Sequence, residues 1–123
     1  MPIGSRFAKY MSPILDALRD LGGSARPGEV YDWIAEHMRI PNATRAELHS
    51  SGTSRFENDV AWARFYLVRT GYLDASKRGV WSLTERGRVS AMLSDEEIAE
   101  IIRVVQTQSQ PDSQIPGATD AQI

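Results

Sequence analysis

Most of the chain places its apolar residues three and four apart, and one short stretch alternates them with polar ones, so helices predominate around a single strand pair. Ile14, Leu15, Leu18 and Leu21 share a helical face. Ser12 ahead of Pro13 predicts an N-cap with a first-turn proline, and Gly22-Gly23 predicts the stop. Residues 5–11 have room for one extra turn before that helix, and Ser24 to Arg26 suits a short strand. Pro27 then opens a second helix with Val30, Ile34 and Met38 on one face and Tyr31 and Trp33 beside it, closed by Pro41. Residues 44–52 read as a polar connection with a helical turn around Ala46 to Leu48.

The third helix is the best delimited. Ser54 and Glu57 form an S-x-x-E capping box, the helical pattern runs from Arg55 to Thr70, and Gly71 supplies the stop. At about 100° per residue, Phe56, Val60, Ala63 and Leu67 line the core side, while Arg55, Asn58, Trp62, Phe65 and Arg69 gather on the opposite arc. After it comes RGVWSLTERGR, residues 78–88: a basic turn closing on Gly79, the alternation Val80, Trp81, Ser82, Leu83, and a helix start at Thr84. Glycine permits the positive φ that a tight hairpin turn often needs. A basic hairpin just after a long helix is the wing of a winged helix, and it points to nucleic acid. Thr84 is expected to cap a helix through about Leu93, and Ser94 with Glu97 forms a second capping box.

Ile98, Ile101, Ile102 and Val105 then make a narrow apolar stripe on an acidic helix. The stripe needs a cover, either its own domain or a second copy of the chain in a homodimer. Trp62 is open in the same way: it can pack beneath the hairpin, as large aromatics usually do, or enter a groove. From Thr107 to Ile123 the chain is rich in Gln, Ser, Pro and Gly and has no aromatic residue, so it cannot bury enough apolar area to offset its ordering entropy. The reading is one domain over residues 1–106 with its core in 13–93, and a disordered tail or linker over 107–123. The fold class is mainly α with a small β-hairpin, a winged helix-turn-helix with additional C-terminal helices.

Composition narrows the function. At 123 residues and 41% hydrophobic content, the chain supports one core. It has no cysteine, hence no disulfide and no thiolate metal site, and no apolar run approaches the ~20 residues of a membrane span. With no signal-peptide pattern at the N-terminus, a soluble cytoplasmic protein is expected. The net charge of −2 hides an asymmetry. Residues 44–89 carry eight basic side chains (Arg45, Arg55, Arg64, Arg69, Lys77, Arg78, Arg86, Arg88) against five acidic ones, whereas residues 90–123 carry only Arg103 against six acidic ones. Phosphate binding responds to local cation density, so an acidic end does not cancel a basic middle on another face. Catalytic signatures are missing: His37 and His49 lack metal-ligand spacing, no G-x-S-x-G frames a serine, and Gly22-Gly23 belongs to no phosphate-cradling loop. No cofactor is expected.

PILDALRDLGGSARPGEVYDWIAEHM followed by TSRFENDVAWARFYLVRTGYLDASKRGVWSLTERGR resembles the N-terminal winged-helix domain of Mrr-type restriction endonucleases. The likeness covers roughly residues 13–90 and rests on LGG-x-ARP-x-EVY, F-E-N-x-V-x-WAR and RG-V-W-x-LT-x-x-GR. It implies a DNA-recognition module, normally linked to a C-terminal PD-(D/E)xK nuclease, with modified DNA such as methylated DNA as target in host defence. No cage or flipping pocket for a modified base is identifiable in these residues. Such a nuclease needs carboxylates for Mg²⁺ and an E-x-K or Q-x-K lysine. Lys9 and Lys77 are preceded two places back by Phe7 and Ala75, so this chain alone is not expected to cut DNA.

The expected partner is therefore double-stranded DNA. Arg55 and Asn58, with Thr53, Ser54 and Trp62, would enter the major groove, where arginine suits guanine and asparagine suits adenine. Lys77 and Arg78 would set the wing on phosphate or in the minor groove, and Arg45 and Arg69 would hold the backbone. Two other classes stay open: a small dimeric winged-helix transcriptional regulator, and a winged helix used only for protein contacts.

Overall fold

A computed structural model describes residues 6–48, 52, 54–90 and 93–108. A 3₁₀ turn (Arg6–Tyr10) runs straight into α1 (Met11–Asp20), followed by β1 (Ser24–Ala25), α2 (Pro27–His37), α3 (Asn42–Arg45), α4 (Arg55–Arg69), β2 (Leu73–Asp74), β3 (Trp81–Leu83), α5 (Glu85–Val89) and α6 (Asp95–Gln108). The three strands form an antiparallel sheet in the order β1-β3-β2. Ser24 pairs with Ser82 and Ala25 with Trp81 on one side of β3, and Leu73 pairs with Leu83 on the other. Trp81 and Leu83 point into the core and Ser82 does not, which is the period-two alternation read from the sequence.

Several boundaries differ from expectation for local reasons. Ser12 is not an N-cap, because the 3₁₀ turn carries the backbone continuously into α1 at Met11. Its hydroxyl instead accepts the N–H of Leu93 at 3.1 Å, tying the start of α6 to α1. Helix α2 stops before Pro41: Arg39 takes a left-handed φ of 57°, and Ile40 N–H bonds back to the Ala35 carbonyl at 2.8 Å. Pro41 caps α3, and that turn lies over Asn42–Arg45 instead of Ala46–Leu48.

Helix α5 is also shorter than expected. Thr84 caps it, accepting the Gly87 N–H at 3.1 Å and donating to the Gly71 carbonyl at 2.6 Å. It ends at Val89, with the Arg19 guanidinium from α1 donating to the carbonyls of Gly87 and Ser90. The predicted Ser94–Glu97 box forms in both directions, with Glu97 N–H on Ser94 Oγ at 3.1 Å and Ser94 N–H on Glu97 Oε1 at 2.8 Å.

One core joins these elements, from Tyr10 and Met11 to Val105, and so reaches beyond residues 13–93 at both ends. Helix α6 lies against α4 of the same chain, with Ile101 and Ile102 3% exposed and Val105 7% exposed. Three of the four residues of the apolar stripe are thus covered within the chain, and Ile98 is half-buried. The helix continues to Gln108, and the tail expected beyond it falls on residues 109–123, outside the described residues.

Candidate nucleic-acid interface

Helix α4 starts where Ser54 Oγ accepts the Glu57 N–H at 3.2 Å. The same hydroxyl donates to the Arg45 carbonyl at 3.1 Å, so Ser54 serves as a joint between α3 and α4. Arg45 spans the same junction: its guanidinium pairs with Asp32 of α2 at 3.1 Å, lies 3.9 Å from the Glu57 carboxylate, and sits over the Phe56 ring at 5.6 Å. Two acidic partners match much of its charge. Arg55 is half-exposed at the first position of α4, beside the N-terminal end of the helix dipole.

The arc opposite the core stripe is partly covered. Phe7 of the 3₁₀ turn stacks near Trp62, with ring centroids 6.3 Å apart, and lies 4.8 Å from Tyr66. Trp62 thus packs against the N-terminal turn, with Phe65 edge-on at 5.9 Å. Asn58 is 7% exposed, so its amide does not face the outer arc. Arg69 is exposed, with its guanidinium 5.5 Å from the Phe65 ring. It lies fourteen residues after Arg55, or about 21 Å along the helix axis, so the two cannot address the same point on a duplex. Thr53 lies outside the described residues.

The turn between β2 and β3 is built to present its basic pair. Asp74 accepts the Ser76 N–H at 3.0 Å on one carboxylate oxygen and the Ser76 hydroxyl at 2.9 Å on the other. Val80 N–H closes back on the Lys77 carbonyl at 3.2 Å, and Gly79 takes the left-handed φ of 74°. Lys77 and Arg78 stand exposed at that tip.

Between α4 and the wing lies a group that the sequence reading did not single out. Arg64 holds its guanidinium 5.1 Å from the Trp81 ring centroid, bridging α4 to β3, and Tyr31 of α2 meets the same indole edge-on at 5.7 Å. Arg64 Nε is shielded from solvent and finds no hydrogen-bond acceptor among the described residues. Burial pulls the Arg64 guanidinium below the usual arginine range, with the Tyr31 phenol opposing that shift. Burial, then the Glu57 carboxylate, push the Tyr31 phenol up to about 12 against the pull of Arg64. In sequence, Arg64 flanks the core stripe and stands only as one of the eight basic side chains of residues 44–89.

Among the described residues no three His, Cys, Asp or Glu cluster to hold a metal, and no helix is long and apolar enough to cross a membrane. His37 stacks on Trp33 at 3.6 Å with its Nδ1 2.9 Å from the Trp33 carbonyl, and His49 lies outside the described residues.

Residues 7–92 match the model of the Mrr N-terminal domain. The chain is 28% identical over 81 residues to the type IV methyl-directed restriction enzyme EcoKMrr of Escherichia coli (strain K12), a match covering 66% of this chain and 27% of the enzyme. It therefore spans little more than a quarter of that relative's length. No solved structure matches it.

Proposed function

Because this chain belongs to the Mrr N-terminal domain family, we propose that it is a double-stranded DNA-binding module of a restriction system. Helix α4 presents its N-terminal end to the major groove, and the wing rests on phosphate or in the adjacent minor groove. The observation that carries this reading is the placement of Lys77 and Arg78 at the tip of a hairpin that Asp74 and Gly79 hold in shape. A basic pair on an ordered turn serves no packing purpose and suits phosphate. Arg55 supplies the base-edge contact at the start of α4, and Arg69 holds backbone further along. By its likeness to a methyl-directed enzyme, the duplex it prefers is methylated. Cleavage is not assigned to these residues, since neither lysine stands in an E-x-K or Q-x-K motif.

The direct test is a salt titration of affinity on methylated and unmethylated duplexes. Specific binding that falls linearly in log–log form with salt supports the reading, and salt-independent or absent binding refutes it. Lys77→Ala combined with Arg78→Ala should weaken binding to every sequence and flatten the slope by about two phosphate contacts; an unchanged slope removes the wing from the interface. Arg55→Ala should cost about 1 to 3 kcal/mol on the preferred duplex while leaving random-sequence binding nearly intact. Equal losses on both would make Arg55 a phosphate clamp.

A further inference from the structure

Arg64 is held in an arrangement that leaves its chemistry unsatisfied. Its guanidinium covers the face of Trp81, which is itself 5% exposed, while its Nε–H points at no acceptor among the described residues. The cation–π attraction on the ring and the cost of an unpaired buried donor are of similar size and opposite sign. The resting contact is therefore weakly held, and an anion offering two oxygens to the guanidinium fork would displace the ring.

Position says which anion. Arg64 is rooted on α4, nine residues or about 13 Å beyond Arg55, too far along for the groove contacts of the first turn. It leans on β3, the strand that returns from the wing tip. A duplex that holds a helix in one groove and a wing in the next must pass a phosphate backbone between them, because such a strand always separates the major groove from the minor. The corner where α4 meets the base of the wing is where that strand runs. Glu57, seven residues earlier on the same helix, is already engaged by Arg45 at 3.9 Å.

We infer that Arg64 is a phosphate-binding residue parked on the indole of Trp81, and that it swings on to the DNA strand lying between α4 and the wing. The inference rests on the DNA-binding reading above and adds to it a residue at the centre of the interface that contacts every sequence alike.

The test uses the full chain with Arg64→Met, which keeps an apolar side chain and a sulfur contact on Trp81, and Arg64→Lys, which keeps a point charge. Arg64→Met should melt with the wild type, bind all duplexes roughly tenfold more weakly, as for one charge-assisted hydrogen bond, and lose about one phosphate contact from the salt slope. Arg64→Lys should retain the slope with a smaller loss of affinity. An independent readout needs no variant: the Arg64 Hε resonance, shifted upfield over the Trp81 ring in the free protein, should move downfield when random-sequence duplex is added. If the wild type binds DNA and Arg64→Met keeps its affinity and slope, or the Hε resonance stays in place, the inference fails while the DNA-binding reading stands. A loss confined to one sequence would make Arg64 a base reader and overturn the phosphate assignment. If the wild type shows no salt-dependent binding, both fall together.

Discussion

Gly87→Ala is expected to abolish the native fold or leave it severely weakened. A Cβ at this position would stand 2.1 Å from the Tyr72 carbonyl oxygen, 3.1 Å from its carbon and 3.2 Å from Leu83 Cδ2. The obstruction is backbone, so no side-chain rotation relieves it. Moving Tyr72 would disturb its N–H bond to the Leu67 carbonyl at 2.9 Å, which closes α4, and the bond its carbonyl accepts from Thr84 N–H at 3.2 Å, which starts α5. Moving α5 would pull the Gly87 carbonyl from Arg19. Overpacking a well-packed site costs about 1 to 3 kcal/mol, and a clash with backbone falls at or above the top of that range. At about 4–8 °C per kcal/mol for a domain this small, thermal denaturation should show a drop of well over 10 °C or no cooperative transition. A melt within a degree or two of the wild type would mean that α5 does not lie against Tyr72.

Ile101→Ala combined with Ile102→Ala should be at least as damaging, and it reports on assembly as well. Each side chain is 3% exposed in the face that α6 turns to its own domain. Buried Ile→Ala truncations cost about 2 to 5 kcal/mol each, so together they remove a large share of a stability typically near 5–15 kcal/mol. Because the cover is intramolecular, the melting temperature of wild type and variant alike should be independent of protein concentration. A small loss of stability accompanied by a fall in molecular mass would instead place these isoleucines between two copies of the chain.

The elements that were legible in the sequence are those whose determinants are local. Helix α4 is delimited by the hydroxyl of Ser54 and by Gly71, both within a turn of its ends, and its core stripe Phe56, Val60, Ala63 and Leu67 is buried as the period requires. The same holds for β3, where alternate residues face opposite sides of a sheet. The capping box at Ser94 and the stop at Gly22-Gly23 also follow from residues within a few positions of each other. The chain order of helix, strand, helix, helix and hairpin, and hence the winged-helix class, needed nothing more.

What sequence spacing left undecided is which faces of those elements another segment covers. Periodicity ranks residues by angle around an axis, but it is blind to a neighbour arriving from a distant part of the chain. Phe7 lies fifty-five positions before Trp62, yet it packs on the arc that the helical wheel sets opposite the core stripe. Asn58, polar and opposite the core stripe, is buried all the same. Ser12 has the local look of a cap, but its hydroxyl is taken by Leu93, eighty-one residues away.

The sequence by itself therefore determined the type and order of the elements and the basic wing, because caps, turns and alternation act over a few residues and their chemistry is written in place. Only the tertiary structure decided that α6 folds back on α4, that Gly87 has no room for a methyl group, and that Arg64 meets Trp81 between helix and wing. Each of these depends on the packing of segments remote in sequence, where excluded volume and the pairing of buried polar groups choose among arrangements that local preferences leave equal.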